Sequence, residues 1–448
     1  DRLQPVKEVA QTAAVIGRSF DHQTIAALSD KPADELASAM HQLVEAELIF
    51  RRGTPPEATY LFKHALVRDA AYESLLKARR ITLHARLLDV LERRGDAAAE
   101  VMAQHAEAAG LTERAIGYWG QAGTQALARP AYKEAIVSLE NALRLCRTMG
   151  HGLPWKRREQ GLHLQIGQAL IANQGYNAPA TLHAFERALA LAEEIGDVSL
   201  QLPALYGQWI ARYVSGGTAQ GAERYAALAA AQAESGPKLV GLRMLAVERF
   251  FEGRFKQALV LSRKVLDSYD PMAHRDLGLR FGQDPRAAAV TWEGWNLWHL
   301  GFPDQAALTI QDNLSWSREL NHANTTAYVL CFGVAVTNMH LRRPERVESA
   351  AREALRLAEE MLLPLWHALA RTYLGSALSQ QDAARGQEDI EAGLGELHQL
   401  GIGWMRPLHQ IIGADACSRA GRHEQAWAHN TAAFAALADS GDLSFAPR

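Results

Sequence analysis

From residue 113 onward the apolar positions recur three or four residues apart, and the pattern restarts after short polar turns. In 344–361 the stripe is Val347, Ala350, Ala354, Ala358 and Met361; in 254–269 it is Ala258, Leu261, Val265 and Tyr269. Alanine on such a stripe lets two helices approach closely. The helix openings share one form: GRFKQA (253–258), GFPDQA (301–306), RRPERV (342–347) and GRHEQA (421–426). Each sets a turn residue ahead of polar positions and a small apolar residue. Related openings stand around Ala135, Ala184 and Ala222. The register returns about every 42 residues, which predicts stacked helical hairpins. Glycine at the turn supplies a backbone that a β-branched residue resists, and Pro303 and Pro344 suit a first helical turn. About eight pairs are expected between Glu113 and the end, with 270–286 as a break between two stacks or an exposed loop.

The first eighty residues have another texture. Pro5 to Gly17, His22 to Leu28 and a stretch after Pro32 running to Glu45 read as three helices. Ser29 or Asp30 is the expected cap of the third, with Pro32 in its first turn. LIFRRG (48–53), a Pro55–Pro56 turn and TYLFKH (59–64) alternate as a β-hairpin. Three helices and a two-stranded wing predict a winged helix over 1–80. Connecting helices follow over 81–112, then a tetratricopeptide-like α-solenoid over 113–448 with a possible break near 270–286. The fold class is mostly α. The helix after TYLFKH carries Leu66, Val67, Ala70, Ala71, Tyr72, Leu75 and Leu76 around much of its circumference, as expected of a joint covered on two sides. His64, Arg68 and Asp69 are the expected interdomain contacts there, with contact of His64 or Arg68 to a nucleotide-binding neighbour as the sharper alternative.

Charge narrows the function classes. With 47 basic against 50 acidic residues the net charge is −3, no footprint for nucleic acid or an anionic membrane. Residues 1–80 hold 11 basic and 11 acidic side chains, and the third helix carries Asp34, Glu35, Glu45 and Glu47 without Lys or Arg. DNA reading needs the opposite. No apolar run approaches the length of a membrane span. Cys146, Cys331 and Cys417 lie far apart without a CxxC, as buried thiols of a cytoplasmic protein would. The basic clusters at 77–80, 93–94 and 156–158 read as solvated helix ends.

Catalytic motifs are missing. There is no phosphate-cradling GxxxxGK[ST], no HExxH and no GxSxG, and the histidines of HEQAWAH (423–429) fall on different helix faces. No catalytic, cofactor-binding or metal-binding residue is assigned. One aromatic set has two readings. Trp292, Trp295 and Trp298 form a ridge at steps of three, and Tyr328, Phe332, Trp366 and Trp404 lie in later first helices. They pack between repeats, or they line a concave binding surface.

VIGRSFDHQTIAAL (15–28) and FKHALVRDAAYESLLKARRITLHARLLDVLE (62–92) resemble the region after the ATPase core in bacterial multidomain signal-transduction ATPases related to class III adenylate/guanylate cyclases. WEGWNLWHLGFPDQA (292–306) is similar to the repeat region of that group. The resemblance implies a cyclase domain, a nucleotide-binding domain, a winged helix and tetratricopeptide-like repeats in that order, this chain being the last two. It begins with Asp1 rather than Met, which fits a piece of something longer. ATP and Mg are then expected only upstream. The expected partners are the upstream nucleotide-binding domain and a protein or small-molecule effector, with no nucleic acid and no membrane. The rival reading is the sensor arm of a large ATP-binding LuxR-type transcriptional regulator.

Overall fold

A computed structural model describes residues 4–129, 131–216, 221–440 and 442–444. They are mostly helical and fall into two compact units, 1–169 and 170–448.

The first unit opens with α1 (Gln4–Ile16), β1 (Ser19–Asp21), α2 (His22–Leu28), α3 (Ala33–Glu45), β2 (Ile49–Arg52) and β3 (Thr59–Phe62). The strands form one antiparallel sheet in the order β1-β3-β2. The third strand was not expected: β1 is only three residues long, too short to show alternation. Its Phe20 sits opposite Tyr60, and the two rings stack at 5.4 Å. With Ile49 and Phe62 they cover Val9, Ala13, Leu36, Met40 and Leu43 of α1 and α3. Asp21 caps α2 by accepting from the Thr24 amide at 2.7 Å and hydroxyl at 2.9 Å. The expected cap of α3 is corrected. Pro32 occupies the N-cap, and Asp30 is drawn off by Arg79 and Arg86 at 2.9 and 2.7 Å.

Next come α4 (Ala65–Glu73), α5 (Lys77–Arg94) and α6 (Ala99–Ala108). The expectation that α4 is covered on two sides does not hold: none of its residues is fully buried, and Leu66 is 79% exposed. Its inner edge is narrow, with Val67, Ala71 and Tyr72 packed against the sheet core.

From Thr112 onward helices pair as antiparallel hairpins, including Thr112–Ala128 with Tyr132–Thr148, Ser235–Phe251 with Phe255–Ser268, Pro364–Leu378 with Ala383–Gln399, and Arg406–Arg419 with His423–Ser440. The repeated openings are the turns between partners. Gly253, Gly301, Arg342 and Gly421 all have positive φ, from 56° to 87°. After each, the next amide reaches five residues back: Arg254 to Arg249, Phe302 to Leu297, Arg343 to Asn338 and Arg422 to Cys417, at 2.8–2.9 Å. These are Schellman ends, which satisfy the last carbonyls of the first helix. Pro303 and Pro344 take the first helical position. Met361, counted into a buried stripe, stands 53% exposed because the helix stops at Glu360.

In the second unit the two members of a pair differ. Pro344–Glu360 buries one stripe (Val347, Ala350, Ala351, Ala354, Ala358), whereas Ser235–Phe251, Pro285–His299 and Pro364–Leu378 are buried nearly all round. The former is an outer helix and the latter are inner ones. Segment 270–286 lies within the second unit and is exposed over much of its length. It contains Pro271–His274 and Leu277–Phe281, and it buries His274 and Asp284 within the unit.

The unit also returns on itself. The amides of Gly403 and Trp404 donate to the Val214 carbonyl at 3.1 and 3.0 Å, joining the 403–405 turn to the end of the Val198–Val214 helix. A Cβ on Gly403 would lie 2.2 Å from the Ser215 carbonyl oxygen, so this approach requires glycine.

Candidate functional site

The residues expected as interdomain contacts stand at the start of α4. His64 is the exposed N-cap of α4 and makes no capping bond, and Arg68 is ion-paired to its own neighbour Asp69. The junction between the sheet module and the following helices joins the expected Tyr72 to His84 and His105, which sequence reasoning did not single out. The Tyr72 hydroxyl meets His84 Nε2 at 3.0 Å, and His84 Nδ1 meets His105 Nδ1 at 3.0 Å, linking α4, α5 and α6. Arg94 donates to Asp21, Thr24 and Asp96, tying α5 to α2. The basic clusters are corrected accordingly. Residues 77–80 open α5 rather than close it, and Arg79 pairs with Asp30 while Arg80 lies over the Tyr72 ring at 5.2 Å. A groove of about 420 Å³ runs along the exposed side of the module, lined by Ala26, Ala37, Met40, Val44, Arg51 and Tyr60 among others. The solvent face of α3 presents Asp34, Glu35, Ser38, His41, Gln42 and Glu45.

The aromatic set is brought together, but as packing. Trp292, Trp295, Tyr328, Phe332, Trp366 and Trp404 are all at most 6% exposed; Trp298 alone is half-buried, stacked on His340 at 4.2 Å. Phe332 is the hub, with Trp404 at 4.4 Å, Trp366 and Tyr328 at 5.4 Å and Trp295 at 6.0 Å. The Trp295 indole donates to the Phe332 carbonyl at 2.9 Å, across two inner helices. Phe332 itself lies in a π-helical stretch, Val329–Val336, set within an otherwise α-helical segment. Trp404 belongs to the closing turn rather than to a first helix. The rings around Phe332 fill the space between repeats.

A different constellation emerges beside them. Arg243, on the inner helix Ser235–Phe251, is 3% exposed. Its Nη2 donates to the Tyr206 hydroxyl at 3.3 Å, while Nε and Nη1 have no hydrogen-bond partner. It forms no ion pair among the described residues. The phenols of Tyr213, Tyr225 and Tyr328 lie within electrostatic reach of the guanidinium, and none of their hydroxyls has a hydrogen-bond partner. The Trp209 and Trp404 indole N–H groups are also unpartnered. Trp404 lies close enough to Tyr213 to favour its phenolate, yet the pair misses hydrogen-bond geometry. Burial opposes the Arg243 charge, but the phenols, Tyr206 and Tyr328 foremost, outweigh it and hold its pKa above the ordinary value. Burial pushes Tyr213, Tyr225 and Tyr328 up, so they stay neutral donors. Asp442 also acts on Tyr213, but its carboxylate accepts from the Ser444 amide and hydroxyl rather than pairing with Arg243. Rings wall the cluster: Trp209 stacks on Tyr213 at 5.0 Å and 9°, and Trp404 and Phe251 flank Tyr213 at 5.0 and 5.7 Å.

Among the described residues no group of three His, Cys, Asp or Glu side chains could hold a metal, and no helix is long and apolar enough to cross a membrane. Cys146, Cys331 and Cys417 are buried and free.

No family model matches the chain. It is 24% identical over 434 residues to an uncharacterized protein of Rhizobium meliloti (strain 1021), a match that takes in 95% of this chain and 42% of the relative. The chain therefore spans less than half the length of that curated relative. Among solved structures it is similar to a signal transduction ATPase with numerous domains and a tetratricopeptide repeat sensor from Pyrococcus horikoshii. That likeness has 12% identity and a TM-score of 0.39, covering 88% of this chain and 63% of that one. It is also similar to a Rap protein complexed with competence and sporulation factor, at 10% identity and a TM-score of 0.48, covering 73% of this chain and 98% of that one. Neither likeness bears on what this chain binds.

Proposed function

We propose that this chain is the non-catalytic regulatory and interaction region of a cytoplasmic multidomain signal-transduction ATPase, one that carries an adenylate/guanylate cyclase output domain. In this reading residues 1–80 are a winged-helix-like module that docks on the nucleotide-binding domain of the parent, and the stacked hairpins receive a protein or small-molecule effector. ATP and Mg belong to the parent's other domains, and the chain itself is not an enzyme.

The observation that carries the reading is the pairing of two unlike parts without a flexible linker. A sheet module with an acidic third helix is joined by packed and ion-paired contacts to α5, which leads through α6 into the first helical hairpin. Phosphate contact needs cations, and the solvent face of α3 supplies carboxylates instead, which supports protein docking over DNA reading. Helical-repeat arrays present extended surfaces and respond to ligands as units. Effector binding would then shift the parent between a restrained and an active arrangement. The match to less than half of a longer bacterial protein agrees with a multidomain parent.

Calorimetric titration of the chain with the parent's isolated nucleotide-binding domain tests the docking step. The proposal expects saturable binding that weakens when Arg51 and His41, exposed on the groove of the module, are changed together to Glu. Binding untouched by that change, or no binding, contradicts the assigned surface.

A further inference from the structure

The Arg243 cluster has a chemical consequence. A guanidinium taken out of water is costly unless a counter-charge and hydrogen bonds replace its hydration. Arg243 receives one phenol and leaves two nitrogens unsatisfied. Around it stand three more neutral phenols and two indole N–H groups, none of them in hydrogen-bond geometry, although the Trp209 indole lies within reach of the Glu248 carboxylate and the Tyr328 hydroxyl within reach of Thr291 and Trp292. A buried cation without an ion pair among the described residues, with the phenols of Tyr213, Tyr225 and Tyr328 in its reach, describes an oxyanion receptor. Arginine suits this because its planar fork matches a carboxylate or phosphate in a bidentate manner. The stacked Trp209 and Tyr213, with Trp404 and Phe251 beside them, provide flat apolar walls next to the polar group.

We propose that the second unit binds a small organic oxyanion, a carboxylate or phosphate carried on a flat apolar body, with the charged head on Arg243 and the phenols of Tyr213 and Tyr328 and the body against Trp209 and Trp404. This deepens the effector-binding reading given above and rests on it. The site joins the Ser235–Phe251 helix to Val198–Val214 and to the closing turn at Trp404, so a ligand there bridges the contact through which the unit returns on itself.

The test is titration of the purified chain, read by tryptophan fluorescence and thermal unfolding. The probes are benzoate, indole-3-acetate and inorganic phosphate, with benzamide and indole-3-acetamide as neutral counterparts. At least one anion is expected to raise the melting temperature saturably while its amide does not. Response to the carboxylates with phosphate silent assigns a carboxylate head; the reverse assigns a phosphate. Arg243→Gln should weaken binding at least about tenfold, since an unpaired partner is left behind. Tyr328→Phe keeps the ring and loses one donor, so it should weaken binding several-fold even if Arg243→Gln does not fold. Acids and amides acting alike, wild-type affinity in Y328F and R243Q, or no response of the wild type to any probe would overturn the site. Failure here is separable from failure of the regulatory reading. An anion that binds through Arg243 without altering the parent's ATP turnover leaves the site standing and removes the regulation, and regulation without anion binding does the converse.

Discussion

His84 and His105 face each other with their Nδ1 atoms 3.0 Å apart, while the other nitrogen of His84 meets the Tyr72 hydroxyl. One ring must donate and the other accept, so the pair holds together only while at least one imidazole is neutral. Burial, then the neighbouring His105 and Arg80, push His84 down to about 4, and burial lowers His105 as well. The unfolded chain takes up the His84 proton near 6.5, whereas the folded chain resists until about 4. The stabilising contribution is therefore complete above pH 6.5 and lost as pH falls toward 4. It amounts to something on the order of 3 kcal/mol. Urea unfolding at pH 7.5 and 4.5 should show this loss, and His84→Gln should flatten the difference. Buried His409, also held at about 4, adds a loss of the same sign that the substitution leaves in place. An H84Q protein with the full wild-type pH dependence would refute the assignment.

The hairpin turns make a paired prediction. At Gly421, φ is +73° and a Cβ would meet nothing within 4 Å, so Gly421→Ala isolates the backbone cost. It should destabilise by about 1 kcal/mol. Arg342 holds the equivalent turn at φ 56° with a side chain, and Arg342→Gly should stabilise by a similar amount. Denaturant midpoints moving in opposite directions are expected; movement in the same direction would contradict the shared turn geometry.

Phe332 and Trp298 separate packing from surface. Phe332→Ala removes the hub of the ring cluster and should cost about 3–5 kcal/mol. Trp298→Ala, half-buried beside His340, should cost clearly less. Equal losses in calorimetry would mean that the ladder is not centred where the distances place it.

Gly403→Ala drives a methyl into the Ser215 carbonyl. The returning contact should separate, with faster amide hydrogen exchange at Gly403 and Trp404 and a larger radius of gyration in solution scattering. Unchanged exchange at both amides would show that the contact does not depend on glycine.

Much of the hairpin array is legible in the chain because its signals are local: a turn residue, a first-turn proline and an alanine stripe within one helix. What escaped depends on distant partners. β1 is three residues long and exists because β3 receives it. Asp30 reads as a cap until Arg79 and Arg86 claim it from 49 and 56 residues away. Leu66 and Leu76 look like joint residues, yet no neighbour covers them. The aromatic ridge left packing and binding open, and the ring distances place all but Trp298 in the interior. Arg243 went unnoticed, although LVGLRMLAV (239–247) is otherwise apolar on every side of the helix. A lone cation in such a stretch points inward, and that was the available signal.

The central claim is that this chain regulates an ATPase rather than acting on a substrate. ATP turnover by the parent protein, compared with a version ending before Asp1, tests it most directly. The account predicts that the two rates differ and that an anion bound through Arg243 moves the longer protein's rate toward that of the shorter one. Equal rates, with and without the anion, would contradict it.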